Sequence, residues 1–289
     1  DVYKRQLSYH TAYLKAHHPA AFMAANLSLA MDDTDKIKIL VEDAIDICGL
    51  SLLPPDINQS DYRFTPVGVP GKKATQIRYG LGAVKGSGKG AIDAVIEARK
   101  ERPFTDLFDF AKRVDKRQIN RRTIDSLIRA GAFDCFNVDR AILLASVAFA
   151  MECAEQAEAA ANQVSLFGGD DSDLETPPEY VKVSPWSDKQ KLTEEKAALG
   201  FYLSGHLFNA YADEARRFAR AKLSSLEPSR EPRTIAGVIS GLRTQMTQRG
   251  RITIVTLDDG SATVDVTVYN ELYDANRHMF KEDEFLAVT

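Results

Sequence analysis

The stretch YGLGAVKGSGKGAIDAVIEAR, Tyr79 to Arg99, decides how the rest of the chain is read. Val84, Lys85, Gly86, Ser87 and Gly88 make a tight turn with two glycines, and a run of helical period comes directly after it. Such a turn can aim successive backbone N–H groups at one anion, with a helix N-terminus just behind. The flanking Lys85 and Lys89 suit a phosphate. Amides and lysines on phosphates hold a nucleic-acid backbone without reading base edges.

Two other phosphate loops fail on their own requirements. A Walker A loop needs Gly-x-x-x-x-Gly-Lys-Ser/Thr. Here Gly90 succeeds Lys89, and Ala83 stands where the first glycine belongs. The dinucleotide pattern GxGxxG/A does match Gly86 to Ala91, but it needs a preceding strand and a βαβ return. The next segment is instead FTDLFDF, Phe104 to Phe110, which reads as an amphipathic helix. A helix-hairpin-helix motif is the reading that remains. Charge agrees with it. Residues 68–135 hold 15 Lys/Arg against 8 Asp/Glu, a local +7 in a chain whose net charge is −4. That concentration marks a nucleic-acid surface.

The 289 residues suit two or three domains, and a hydrophobic content of 44% is enough for real cores. No apolar run reaches the ~18 residues of a membrane span. Cys48, Cys135 and Cys153 form no CxxC and no metal spacing, and read as reduced cytosolic thiols, placing the chain in the cytoplasm. The first six residues, DVYKRQ, read as a translated sequencing-adaptor scar and are set aside. The abrupt start and finish are those of a fragment.

Residues 7–30 read as a helix. A second helix runs from Ile37 to Cys48, closed by Gly49, with Asp33 and Asp35 complementing its N-terminus rather than binding metal. Leu52 to Asp56 breaks that helix, and Tyr62–Val69 and Gln76–Tyr79 are short β-like pieces. Helices near 105–114 and 118–131 give a second, degenerate hairpin copy. An Ala/Glu-rich helix spans 140–162, an acidic Gly/Pro linker spans 168–178, and residues 188–219 are helical with a break at Ser204-Gly205. From Arg233 the period changes to two. Three strands, a helix from Glu271 to Phe280 and a strand from Phe285 have the order of an OB fold lacking its closing strand.

Taken together, the hairpin, FTDLFDF and NRRTIDSLIRAGAFD (Asn120 to Asp134) resemble the bacterial DNA polymerase III alpha subunits, the C-family replicative polymerases. So do SYHTAYLKAHHPAAFMAA (Ser8 to Ala25), LPPDINQSDY (Leu53 to Tyr62), LGFYLSGH (Leu199 to His206) and TLDDG (Thr256 to Gly260), all in order. The resemblance implies a C-terminal piece of a DNA-directed DNA polymerase, multidomain and mainly α, followed by a partial OB barrel. Residues 7–55 would end the fingers region, and 56–145 would hold the tandem helix-hairpin-helix. Residues 146–187 would carry a helix, a clamp-binding peptide and a linker, 188–230 a helical connector, and 231–289 the truncated OB domain.

In that setting Gln163, Val164, Ser165, Leu166 and Phe167 look like the peptide that attaches polymerases to the sliding clamp. Leu166 and Phe167 would fill an apolar pocket while Gln163 bonds its rim. Val84 to Lys89 would contact duplex backbone without sequence preference, and Arg243, Arg249 and Arg251 are candidates for single-stranded DNA. No catalytic carboxylate set stands on a suitable strand. The palm and its Mg²⁺ are expected outside this chain, which alone should be inactive and hold no metal or cofactor. Other replisome subunits are implied partners, and no membrane is. An error-prone paralogue, or a repair scaffold built from the same modules, stays open as an alternative.

Overall fold

The computed structural model describes residues 2–69, 71–167, 178–219, 221–247 and 250–289, with backbone alone over 161–167. The chain divides into two compact units, Asp1–Phe201 and Tyr202–Thr289. The segment 188–230 is therefore shared between them.

The first unit opens with two helices where the sequence reads as one. Helix α1 spans Val2–His17 and α2 spans Pro19–Leu29. Pro19 stands at the first turn of α2, where its missing N–H costs nothing, and it drives His18 out of helical geometry (φ −133°). No residue of α1 is buried, whereas Met23, Ala24 and Leu27 of α2 enter the core. Helix α3, Thr34–Glu42, is capped by Asp33, whose carboxylate accepts the Lys36 N–H at 3.2 Å. It widens into a π-turn over Asp43–Ile47, and Gly49 (φ +63°) ends it.

The segment Leu52–Asp56 begins as a strand rather than a plain break. Strand β1, Ser51–Leu53, pairs parallel with β3, Gln76–Arg78, which pairs antiparallel with β2, Thr65–Val67. The remaining α-helices of the unit are α4 (Lys89–Arg99), α5 (Leu107–Arg113), α6 (Arg121–Arg129), α7 (Arg140–Phe167) and α8 (Asp188–Leu199). Their shared core is aromatic. Phe110 meets Phe133 at 4.9 Å and Phe104 at 5.0 Å, both edge-on, with Ile92, Val95, Leu107 and Leu127 fully buried beside them.

One ionic cluster ties α6, α7 and α8. The buried Arg140 guanidinium donates to both oxygens of Asp134 (2.8 and 2.6 Å), to the Arg129 carbonyl (3.0 Å) and to Glu195 (3.3 Å), itself only 1% exposed. Gly131 succeeds α6 at φ +88°, and a Cβ there would meet the guanidinium.

The second unit holds α9 (Ala212–Phe218) and a four-stranded antiparallel sheet. Strands β4 (Ile235–Thr247), β5 (Gly250–Asp258), β6 (Thr263–Tyr269) and β7 (Phe285–Val288) lie in the order β6-β5-β4-β7, with α10 (Asn270–Ala275) between the last two in sequence. A bulge at Ser240 lets β4 bend, so that Ile235–Val238 pair with β7 while Val238–Thr247 pair with β5. Inward residues Ile239, Val255, Leu257, Val268 and Leu286 pack with Leu223 and Phe280. The curled sheet, with a helix before its last strand, is an OB-like half-barrel.

Candidate nucleic-acid interface

The glycine turn is built to a single geometry. Leu81–Ala83 forms one 3₁₀ turn and leads into it, and Val84 is buried, so Val84 anchors the loop instead of reaching outward. Gly86 adopts φ +83°, which an L side chain resists. Ser87 closes the turn: its N–H donates to the Val84 carbonyl (3.1 Å) and its hydroxyl to the carbonyls of Val84 (2.6 Å) and Leu81 (2.8 Å). The Lys85 N–H is consumed as well, donating to the Ala198 carbonyl on α8 at 2.9 Å. The amides of Gly86, Gly88, Lys89 and Gly90 find no acceptor among the described residues. These four, at the turn tip and the start of α4, are what the loop offers an anion. Gly86, Gly88, Lys89 and Gly90 are exposed, as is Lys85.

The second copy stands against the first. Val114 and Ile119 bury its ends, and Asp115 accepts the Arg117 N–H (3.0 Å) to turn the chain. Asn120 caps α6 by accepting the Thr123 N–H at 2.9 Å. The Thr123 hydroxyl then donates to the Gly86 carbonyl at 3.3 Å, which joins the two hairpins at their tips. Exposed Arg117, Arg121 and Arg122 extend the basic edge that Lys85 and Lys89 begin. Beside it Lys85, Arg121, Arg122, Asp125, Ser126 and Arg129 face a cleft of about 530 Å³ closed by Ala197 and Ala198. Burial pushes the Asp125 carboxyl up, against the pull of Arg121 and Arg129.

The α5 side is held by charge pairing. Asp109 bonds Arg102 (3.0 and 2.6 Å), the Thr105 N–H (3.2 Å) and Arg113 (3.1 Å). Burial pushes this carboxyl up, but the three donors outweigh it and hold it below the usual range.

A family model described as the helix-hairpin-helix motif matches residues 49–143. Beyond that span, the chain aligns along 98% of its length with proteins of one kind. It is 45% identical over 283 residues to the DNA polymerase III subunit alpha of Neisseria meningitidis serogroup A. The chain belongs to the DNA polymerase III alpha family. The Pseudomonas aeruginosa relative is 38% identical over 303 residues, and that of Escherichia coli K12 is 39% identical over 295. The chain spans about a quarter of the length of these relatives (24–25%).

The other predicted site residues of this alpha-family chain fall elsewhere. Gln163 to Phe167 form the last turn and a half of α7 in backbone, so the helix runs through the peptide instead of stopping at 162. Their side chains, and linker residues 168–177, lie outside the described residues. In the second unit Arg243 is exposed but bound to Asp265 at 2.6 Å, while Arg251 lies near the Tyr273 ring (6.0 Å). Arg243 pairs in register with Ile254 and Arg251 with Met246, so the two arginines occupy opposite faces of the ribbon. Arg249 lies outside the described residues.

The paired carboxylates are engaged in local structure. Asp33 caps α3, and Asp259 accepts the N–H groups of Leu223, Ser261 and Ala262. Among the described residues no group of three or more His, Cys, Asp or Glu could hold a metal ion, and no helix is long and apolar enough to cross a membrane. The sequence reading missed Thr123, Ala198 and the Arg140 cluster. Only Asn120-x-x-Thr123, a capping pattern, signalled any of them in advance.

Proposed function

We propose that this chain is part of a replicative DNA polymerase and holds duplex DNA by its phosphate backbone, without regard to sequence. The observation that carries this reading is the joined pair of hairpins. Four unpaired amides, with Lys85 and Lys89 beside them, form a surface that offers phosphate-binding donors and positive charge. In the parent polymerase, DNA-templated synthesis takes place at carboxylates and Mg²⁺ supplied by a portion this chain does not include. The chain tethers to the sliding clamp through Gln163 to Phe167, and of the three arginines offered to single-stranded DNA, Arg243, Arg249 and Arg251, Arg243 stands exposed on the OB-like sheet. The duplex is gripped while the clamp keeps the assembly on DNA.

Fluorescence anisotropy with two duplexes of unrelated sequence tests the grip. Equal affinities, reduced together when Gly86 and Gly88 are changed to Val, support it. A loss confined to one duplex overturns it. Primer extension by the isolated chain should give no metal-dependent synthesis.

A further inference from the structure

The cleft beside the glycine turn gathers more positive charge than the fold of the turn uses. Arg121, Arg122 and Arg129 line it from α6, facing the end of α8. Lys85 joins them, because its ammonium lies back over that end of α8, 3.5 Å from where a Cβ on Gly200 would stand. Arg129 is tied to Glu194 at 2.9 Å. Lys85 and Arg122 are exposed and have no carboxylate partner among the described residues.

One residue runs against this pattern. Asp125 stands on the same wall, one helical turn from Arg121 and one from Arg129. Its Oδ1 is cut off from solvent and finds no donor, and Oδ2 has only Arg121, at 3.9 Å, the outer reach of an ion pair. A carboxylate among four cations would be expected to bind one of them closely; this one does not. Poor solvation and missing donors favour its neutral form, and a second negative charge set beside it would favour that form further. The cleft is continuous with the turn. Ser126 Oγ lies 3.5 Å from where a Cβ on Gly86 would stand, and the Thr123 hydroxyl reaches the Gly86 carbonyl.

We infer that this cleft is a second phosphate seat, which takes a backbone phosphate of the duplex between Lys85, Arg121 and Arg122, and that Asp125 takes up a proton from solvent as the phosphate is seated. The inference rests on the duplex grip proposed above. With Asp125 ionised, the phosphate meets a like charge beside the cations. With Asp125 neutral, it meets the cations alone. Duplex affinity therefore rises as pH falls through the carboxyl's value in the complex toward its lower value in the free chain. The charged groups that face Asp125 across the cleft are Lys85, Arg121, Arg122 and Arg129, which stay positive throughout that range. Glu194 of α8 is spent on Arg129.

Duplex affinity of the full chain, wild type and Asp125→Asn, is measured by anisotropy at fixed salt in phosphate-free buffers from about pH 8 to pH 5, the range that brackets a raised carboxyl value. The variant should bind roughly tenfold tighter at the alkaline end, the equivalent of a one-unit displacement of the carboxyl, and the ratio should shrink as pH falls. Calorimetry in two buffers of different ionisation enthalpy should show more proton uptake by wild type than by the variant. Equal affinities at the alkaline end, a ratio independent of pH, or equal proton uptake overturns the assignment. Arg122→Gln checks the seat without touching Asp125, and its slope of log affinity against log salt should be shallower by about 0.9. An unchanged slope overturns the seat. If neither variant differs from wild type while the Gly86 and Gly88 changes still weaken binding, the cleft assignment falls and the duplex grip stands.

Discussion

Replacing Arg140 with Met should unfold the hairpin unit more readily than any surface change in it. The guanidinium is 4% exposed and makes four hydrogen bonds, two to Asp134, one to the Arg129 carbonyl and one to Glu195. Methionine preserves much of the volume, so packing loss is small and the electrostatic loss dominates. Removing one partner of a buried pair leaves the other charge in low dielectric, at a cost of about 3–5 kcal/mol. For a unit of this size that lowers the midpoint of thermal unfolding by roughly 6–20 °C. Far-UV circular dichroism in urea reads the effect well, because most of the chain's helices belong to the first unit. The double variant Arg140→Met/Glu195→Gln should recover part of the loss, since it no longer buries a carboxylate that has lost its guanidinium. A single-variant cost below about 1 kcal/mol, the range of an exposed pair, would refute the reasoning. So would strict additivity in the double variant.

Gly86→Ala should cost about 1–2 kcal/mol of stability from its left-handed φ alone. Gly88→Ala, at φ −73° with open space around it, should leave urea stability unchanged yet weaken duplex binding for every sequence; unchanged binding would remove Gly88 from the interface. Asp109 is held below its usual pKa in the folded state, so its contribution is present above an unfolded value of about 3.9 and lost as pH falls through the lower folded value. The stability gap between wild type and Asp109→Asn should therefore narrow from pH 5 to pH 2, and a constant gap would contradict the pairing with Arg102 and Arg113. Leu166→Ala with Phe167→Ala should abolish binding to purified clamp and leave DNA affinity intact; retained clamp binding would dismiss that peptide.

Much of this architecture is written locally. The glycine spacing at Gly86 and Gly88, the Asp33 cap and the period-two strands after Arg233 each arise from one or two residues acting on their own neighbourhood, and each element appears where those residues place it. What stayed hidden depends on partners distant in sequence. Ser51–Leu53 becomes a strand only because Gln76–Arg78 lies beside it. The Lys85 amide is occupied by Ala198, 113 positions away in the chain, and no local pattern announces that. Arg140 and Glu195 read as ordinary surface charges until α6, α7 and α8 close around them. The strand arginines show the opposite error: Arg243 and Arg251 look like one basic patch in sequence, but the alternation of a strand sends them to opposite faces.

The grip of the hairpins on phosphate is tested most directly by salt. Duplex affinity of the chain and of its Lys85→Gln/Lys89→Gln variant should be measured from low to moderate salt on two unrelated sequences. Each lost phosphate contact removes about 0.9 from the slope of log affinity against log salt, so the double variant should be shallower by about 1.8 on both duplexes. An unchanged slope, or a change on only one sequence, would contradict the account.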